Sequence, residues 1–360
     1  MFKANKSLFS VVALISAILI TSSASSSEIS SFYRGIRPLG MGNAFTAIAN
    51  DENSMYYNPA GLNNIEGFGS VGIINPAVEM SESLQSFLDD LNAVDNNDVS
   101  ASTQLIRDYM GTHQHGRVSL MPHYTMHNFG VAVLAQGTVD MDFRNPVNPY
   151  IETKMIYDTV PTVSGAYSFL DNELKVGATA KLFLRRGIVK KYTAVDIASE
   201  NFDPENDLKE GSGLGVDIGL IYNLPFIESL NPTVGLTVQN LGDVDLGDAG
   251  EEPQKVNFGF GINYTGHKYT EILVAAIDYV DISNNVGDDR DMAKRIHMGV
   301  EAKFPLYSVR AGLNQGYSSY GVTLDIKLLK IEYAAYTEEI GAYAGQRTDK
   351  RQMIKLSLGW

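Results

Sequence analysis

The chain has 360 residues and a formal net charge of −14, with 44% hydrophobic but only 19% charged residues, 33 Gly, 19 Tyr, one Trp and no Cys. Gly and Tyr are poor helix formers, so a helix-rich fold is disfavoured. The missing Cys excludes a disulfide framework, a thiolate metal site and a cysteine nucleophile, and the acidic balance argues against a nucleic-acid partner. A mean hydropathy of −0.09 resembles that of a soluble protein, but the order of the residues says otherwise.

The first element is a secretory signal over residues 1–24. Lys3 and Lys6 form a basic start, Leu8 to Ile20 an apolar stretch, and Ser22-Ser23-Ala24 a small-residue cleavage site. Thirteen residues, two of them Ser, are too few to cross about 30 Å of hydrocarbon as a helix. Removing residues 1–24 takes away two Lys and no acids, which moves the net charge from −14 to −16. A Gly- and Asn-rich segment follows over 25–66.

From residue 67 onward, short segments alternate in polarity. In 255–264, Val256, Phe258, Phe260, Ile262 and Tyr264 oppose Lys255, Asn257, Gly259, Gly261 and Asn263. In 295–304, Ile296, Met298, Val300, Ala302 and Phe304 oppose Arg295, His297, Gly299, Glu301 and Lys303. A period of two puts alternate side chains on opposite faces of a sheet. The pattern predicts strands at 67–74, 116–124, 129–140, 155–169, 174–189, 213–222, 232–241, 255–264, 270–280, 294–304, 307–315, 320–328, 330–338 and 352–360. Fourteen is an even number, as single-chain bacterial barrels require. Connections after even strands are mostly short, such as His127-Asn128. Those after odd strands are mostly long, with 314–319 and 223–231 as exceptions. That rhythm fits an all-β, 14-stranded antiparallel transmembrane barrel with short periplasmic turns and long outer loops. A sandwich would place the same apolar face inside.

The first long loop, about 75–115, carries helical spacing. Leu84, Phe87, Leu88 and Leu91 are predicted to form an apolar collar on a helix capped by Ser81. Leu105, Ile106, Tyr109 and Met110 predict a second helix. The alternation ends on Trp360, and a terminal aromatic resembles the signal read by the barrel assembly machinery, which makes that machinery an expected partner.

Residues 34–62 read Arg-Gly-Ile-Arg-Pro-Leu-Gly-Met-Gly-Asn-Ala-Phe-Thr-Ala-Ile-Ala-Asn-Asp-Glu-Asn-Ser-Met-Tyr-Tyr-Asn-Pro-Ala-Gly-Leu. This string resembles the start of the FadL/PorV-like outer-membrane proteins at Gly40, Met41, Gly42, Ala44, Thr46, Ala47, Asp51, Ser54, Tyr57, Asn58, Pro59, Ala60, Gly61 and Leu62. The resemblance covers about thirty residues. It implies a 14-stranded barrel in the outer membrane of a Gram-negative-type bacterium, with an N-terminal plug in the lumen. It also implies passive uptake of hydrophobic compounds such as long-chain fatty acids or hydrocarbons, and contact with outer-membrane lipids. Some PorV-like relatives act instead as secretion partners, and the alternative of a non-transporting barrel with a structural or secretion-partner role stays open. Candidate plug and ligand-binding residues are Gly40, Gly42, Asn43, Ala44, Phe45, Asp51, Asn58, Pro59, Ala60, Gly61 and Leu62. Gly40 and Gly42 permit close approach or positive φ. Ala44, Ala47, Ile48 and Ala49 predict a short helix, which Asn58-Pro59 would end.

No catalytic motif is present: there is no G-x-S-x-G, no H-E-x-x-H and no dinucleotide fingerprint. No enzyme activity, cofactor or metal is therefore expected. His113 and His115 cannot share a site with His123 and His127, because the two pairs fall at opposite ends of the barrel. The loop acids Asp243, Asp245, Asp248, Glu251, Glu252, Asp281, Asp288, Asp289 and Asp291 read as a solvated outer surface. Lys181, Asp217, Arg295, Glu301, Arg310, Asp325 and Lys327 read as inward-facing, which conflicts with an apolar conduit unless these charges are paired.

Overall fold

A computed structural model describes residues 28–29, 31–67, 69–94, 98–197, 204–226, 228–265, 272–286 and 291–359. The expected signal segment, Asp288, Asp289 and Trp360 lie outside the described residues.

Fourteen antiparallel strands close into a barrel. Two are interrupted: β1 (Ser70–Ile74 and Ala77–Ser81) and β2 (His113–Leu120 and His123–Met126). The others run without a break: β3 (Phe129–Arg144), β4 (Tyr150–Phe169), β5 (Leu174–Thr193), β6 (Lys209–Asn223), β7 (Thr233–Gln239), β8 (Lys255–Thr265), β9 (Ile272–Tyr279), β10 (Ile296–Lys303), β11 (Tyr307–Asn314), β12 (Tyr317–Ile326), β13 (Leu329–Glu339) and β14 (Thr348–Gly359). Each pairs with its sequence neighbours, and β14 closes on β1 through Ile354 opposite Val78 and Gly359 opposite Gly72. Closure removes the free edges that an open sheet would expose.

Alternation decides which face is which. Val131, Val133, Leu182, Leu184, Phe258, Phe260, Val300 and Val322 are exposed on the outer wall, whereas Lys181, Asp217 and Glu301 are buried inside. A soluble sandwich would reverse this. An outer apolar belt with a polar interior is the arrangement of a membrane barrel.

The expected strands agree with the observed ones to within a few residues, with three differences. The first strand continues past Pro76 to Ser81. Proline lacks an N–H, so it interrupts the ladder without ending the strand. β3 and β4 extend further outward than the alternation shows, which leaves only 145–149 as their loop. Lys327 sits in the β12–β13 turn with φ 53° rather than on the lumen-facing side of a strand, and Asp325, opposite Lys330 near the end of β12, is exposed at the rim.

In the first outer loop, α1 (Leu84–Ala93) and α2 (Val99–Asp108) form as the spacing predicts. Ser81 is not the cap, since it ends β1. The Asp98 carboxylate caps α2 by accepting from the backbone N–H of Ser100 and Ala101.

Residues 31–67 sit inside the barrel. The short α3 (Ile36–Gly40) and α4 (Ser54–Tyr57) are joined by turns. The helix expected over Ala44 to Ala49 does not form. Asp278 accepts from the N–H groups of Phe45 (2.7 Å) and Thr46 (2.8 Å), and the Asn58 amide takes Thr46 O at 2.8 Å. Of these groups only Thr46 O, which would accept from Asn50 in a helix, is one that a helix over Ala44 to Ala49 would need; the first-turn N–H groups have no partner within a helix.

Candidate functional site

The luminal segment is held by polar contacts to strands around the barrel. Arg37 pairs with Glu301 of β10 at 2.5 Å and with Asp51 at 2.8 Å, while Arg310 of β11 reaches Glu301 at 2.7 Å. Lys355 of β14 pairs with Glu52 at 2.9 Å. Burial pushes the Glu52 carboxyl up, but the Lys355 ammonium beside it more than offsets this and holds the group well below its usual 4.5. The Gln239 amide donates to Tyr56 O (2.6 Å) and the Thr179 hydroxyl to Met55 O (3.0 Å). A buried charge is tolerable only when paired, and the pairing resolves the conflict raised by the inward charges. Lys181 meets Asp217 at 2.7 Å and Arg295 meets Asp281 at 2.8 Å.

The candidate plug residues come together here, each with a packing or hydrogen-bonding role. Gly42 has φ 63°, and a Cβ there would lie 2.4 Å from Met298 O. Gly299 faces it on the wall, where a Cβ would stand 2.2 Å from Met41 O. Gly40 packs similarly against Gly321 of β12. Asn43 accepts from the Tyr57 hydroxyl at 2.6 Å. Asp51 accepts from Arg37 and from the Asn53 N–H. Ala44, Phe45, Ala60 and Leu62 are fully buried, and Pro59 and Gly61 are buried beside them. Asn58 ties three places together. Its amide donates to Thr46 O and to Leu220 O of β6 (3.1 Å), and its Oδ1 accepts from Ala60 N–H (3.1 Å).

The collar residues do not meet the luminal segment. Phe87 is buried at the outer end against Tyr109 and Phe143, in a cluster with Leu105, Ile106 and Ile151. Leu84 and Leu91 pack on that cluster, while Leu88 is exposed. The loop acids are less uniformly solvated than expected. Glu252 turns inward to pair with Arg185 at 2.5 Å, and Asp281 is fully buried on Arg295.

Among the spaces that adjoin this core, three lie along the side of β1 and β2. A vestibule of about 280 Å³ opens above the luminal segment, lined by Arg34, His113, His115, Asp140, Arg185 and Glu252 among others. A chamber of about 20 Å³ lies below, lined by Arg34, Ile36, Asn75, Ser119, Met121 and Met353 among others. On the outer wall over β2 to β6 lies a groove of about 1070 Å³, lined by Pro76, Val118, Ser119, Leu120, Tyr157 and Leu184 among others. Arg34 borders both inner spaces, and Ser119 borders both the chamber and the groove.

Between chamber and groove the wall is interrupted. Asn75-Pro76 splits β1 and Met121-Pro122 splits β2 at the same level. The ladder between them stops at Gly72 opposite His123 and resumes at Ala77 opposite Ser119. The Asn75 side chain fills the missing rung: its Oδ1 accepts from Met121 N–H at 2.8 Å and its amide donates to Met121 O. This closure was not foreseen from the sequence. The signal available was the pair Asn75-Pro76 and Met121-Pro122, two prolines set within apolar alternation.

No family model and no curated protein matches the chain. Solved structures do. The TodX monoaromatic hydrocarbon channel, in its deltaS2 mutant form, is 9% identical and has a TM-score of 0.50, with 94% of this chain and 99% of that chain covered. The chain has the fold of a FadL-type outer-membrane barrel. The CymD monoaromatic hydrocarbon channel aligns at 12% identity and TM-score 0.49, over 90% of this chain and 96% of that one. A Pseudomonas aeruginosa FadL homologue aligns at 11% identity and TM-score 0.47, over 93% and 99%. At these identities the likeness is one of fold, and at that level the resemblance of residues 34–62 to FadL-type barrels holds.

Proposed function

We propose that this FadL-type barrel sits in the outer membrane of a Gram-negative-type bacterium and takes up hydrophobic compounds passively, with residues 25–66 as its plug. The observation that carries the reading is the side-chain rung at Asn75. Among the described residues the lumen is crossed by ion pairs and offers no continuous apolar passage downward. A hydrophobic molecule therefore has a better route sideways. It would enter the vestibule, pass Arg34 into an enlarged chamber, and leave where β1 and β2 are joined by one side chain rather than by backbone. The external groove receives it, lined by Val118, Leu120 and Leu184. Breaking the two Asn75–Met121 hydrogen bonds costs about 1 kcal/mol net each, or about 1–3 kcal/mol for each buried group left without a partner, and no covalent step is needed. The TodX and CymD channels are named for monoaromatic hydrocarbons, and long-chain fatty acids share the apolar bulk that the groove would accept.

The test uses the chain's lack of cysteine. Ala77→Cys with Ser119→Cys places a disulfide beside the interruption. Uptake of a hydrophobic probe such as toluene or a long-chain fatty acid should fall several-fold when the pair is oxidised and recover on reduction. Uptake indifferent to oxidation would remove the lateral route. Mass spectrometry of the wild type purified in mild detergent should find bound hydrophobic compounds. Consistently empty protein that captures one exported protein would replace transport with the PorV-like secretion-partner role.

A further inference from the structure

We propose that His113, His115 and Asp140 form a binding site for a first-row divalent transition-metal cation at the wall of the vestibule. The inference is independent of what the barrel transports.

Two cross-strand pairs build the site. His115 on β2 lies opposite Asp140 on β3, and His113 lies opposite Asp142. Positions two apart share a face, so both imidazoles and both carboxylates point into the lumen. One ligand atom from each of His113, His115 and Asp140 lies within 4.8 Å of the other two. Asp140 Oδ1 is 2.6 Å from His115 Nδ1 and 3.6 Å from His113 Nε2. These three atoms face a common point.

The outer nitrogens carry the decisive detail. His115 Nε2 is 3.1 Å from Glu79 Oε1, and His113 Nδ1 is 3.3 Å from Asp142 Oδ1. A neutral imidazole has one donor and one acceptor nitrogen. The 2.6 Å contact between His115 Nδ1 and Asp140 Oδ1 needs a proton or a cation between the two atoms; when a cation takes that place, the outer nitrogens donate to Glu79 and Asp142 and the inner nitrogens present lone pairs to it. Metal-binding histidines are held in this way, with a carboxylate on the far ring nitrogen fixing tautomer and orientation. Here both rings have that support.

Two imidazole nitrogens and one carboxylate oxygen suit Zn²⁺ and its neighbours better than Ca²⁺ or Mg²⁺, which prefer all-oxygen shells. The vestibule leaves a fourth position for water. Arg351 Nη2 also lies 3.4 Å from His113 Nε2. The arginine has Asp349 at 2.6 Å and Glu28 at 3.0 Å as other partners, so it can yield that contact and stay paired.

The rival is a purely protonic network in which both rings are imidazolium. The two are separated with chain purified without a polyhistidine tag, stripped by chelator and titrated with Zn²⁺. One equivalent should bind. His115→Gln should weaken binding at least 100-fold, and Asp142→Asn, which meets the site only through the outer nitrogen of His113 and otherwise pairs with Arg347 and Arg144, about 10- to 100-fold. Co²⁺ loading should give the visible bands of a nitrogen-ligated, four-coordinate ion. Heat-modifiable gel mobility checks assembly of each variant. Absence of stoichiometric Zn²⁺, or affinity unchanged in the assembled variants, overturns the site. If the variants do not assemble, a wild-type Co²⁺ spectrum of an oxygen-only shell overturns it equally.

Discussion

Asn58→Ala is the substitution that separates a folding role for the motif from a ligand-binding one. The side chain makes three hydrogen bonds, to Thr46 O, Leu220 O and Ala60 N–H, and is fully buried. Each bond contributes about 1 kcal/mol net, and a buried N–H left without a partner costs about 1–3 kcal/mol. The Ala60 N–H would be such an orphan, so the loss should be about 3 kcal/mol. With a factor of ten for each 1.4 kcal/mol, local opening of the plug should rise by about two orders of magnitude. Hydrogen exchange of detergent-solubilised protein reads this directly. Amides around 44–61 should lose roughly 100-fold protection while the wall strands β10 to β13 keep theirs. Unchanged plug protection together with lost uptake would refute the reasoning and make Asn58 a ligand contact.

Gly299→Val would set a side chain 2.2 Å or closer from Met41 O, so overpacking of about 1–3 kcal/mol should displace the plug from β10. Gly165→Ala, whose Cβ meets only Asn128 O at 4.0 Å, should be neutral in the same exchange measurement. The Glu52–Lys355 pair predicts a pH dependence. Because the Glu52 carboxyl is held below its usual 4.5, its contribution is complete above that pH and is lost as pH falls through the lowered value. The near-ultraviolet circular dichroism of the Tyr33–Tyr56–Tyr57 cluster should stay flat from pH 7 to about 5 and decline only below the ordinary carboxylate range. Glu52→Gln should abolish the acid limb attributable to this pair.

Strand content was legible because the membrane barrel writes its two faces into alternate residues. Val256 to Tyr264 and Ile296 to Phe304 needed no tertiary information. What the alternation could not show was how inward groups are matched. Glu301 meets Arg37, 264 positions away, and Lys355 meets Glu52 across 303. Such partners depend on barrel closure rather than on local pattern. The predicted Ala44–Ala49 helix was likewise overridden by contacts distant in sequence: Thr46 O goes to the Asn58 amide and Ala47 O to Thr233 of β7, while Asp278 of β9 holds the Phe45 and Thr46 N–H groups. The histidines show the limit most clearly. Reading them as His113, His115, His123 and His127 rightly separated the two ends but overlooked Asp140. Only the register of β2 against β3 supplies that ligand.

The luminal segment's tethers radiate to β5, β6, β7, β9, β10 and β14, like spokes from a hub to a rim. Pulling such a hub straight out would snap every spoke together, and at about 1 kcal/mol or more for each bond the sum becomes prohibitive. Slackening one sector strains only the spokes that end there. The sector at Asn75 is where the rim itself is thinnest. A closed hoop of this kind favours opening by a small local yielding of hub and rim over wholesale ejection of its centre.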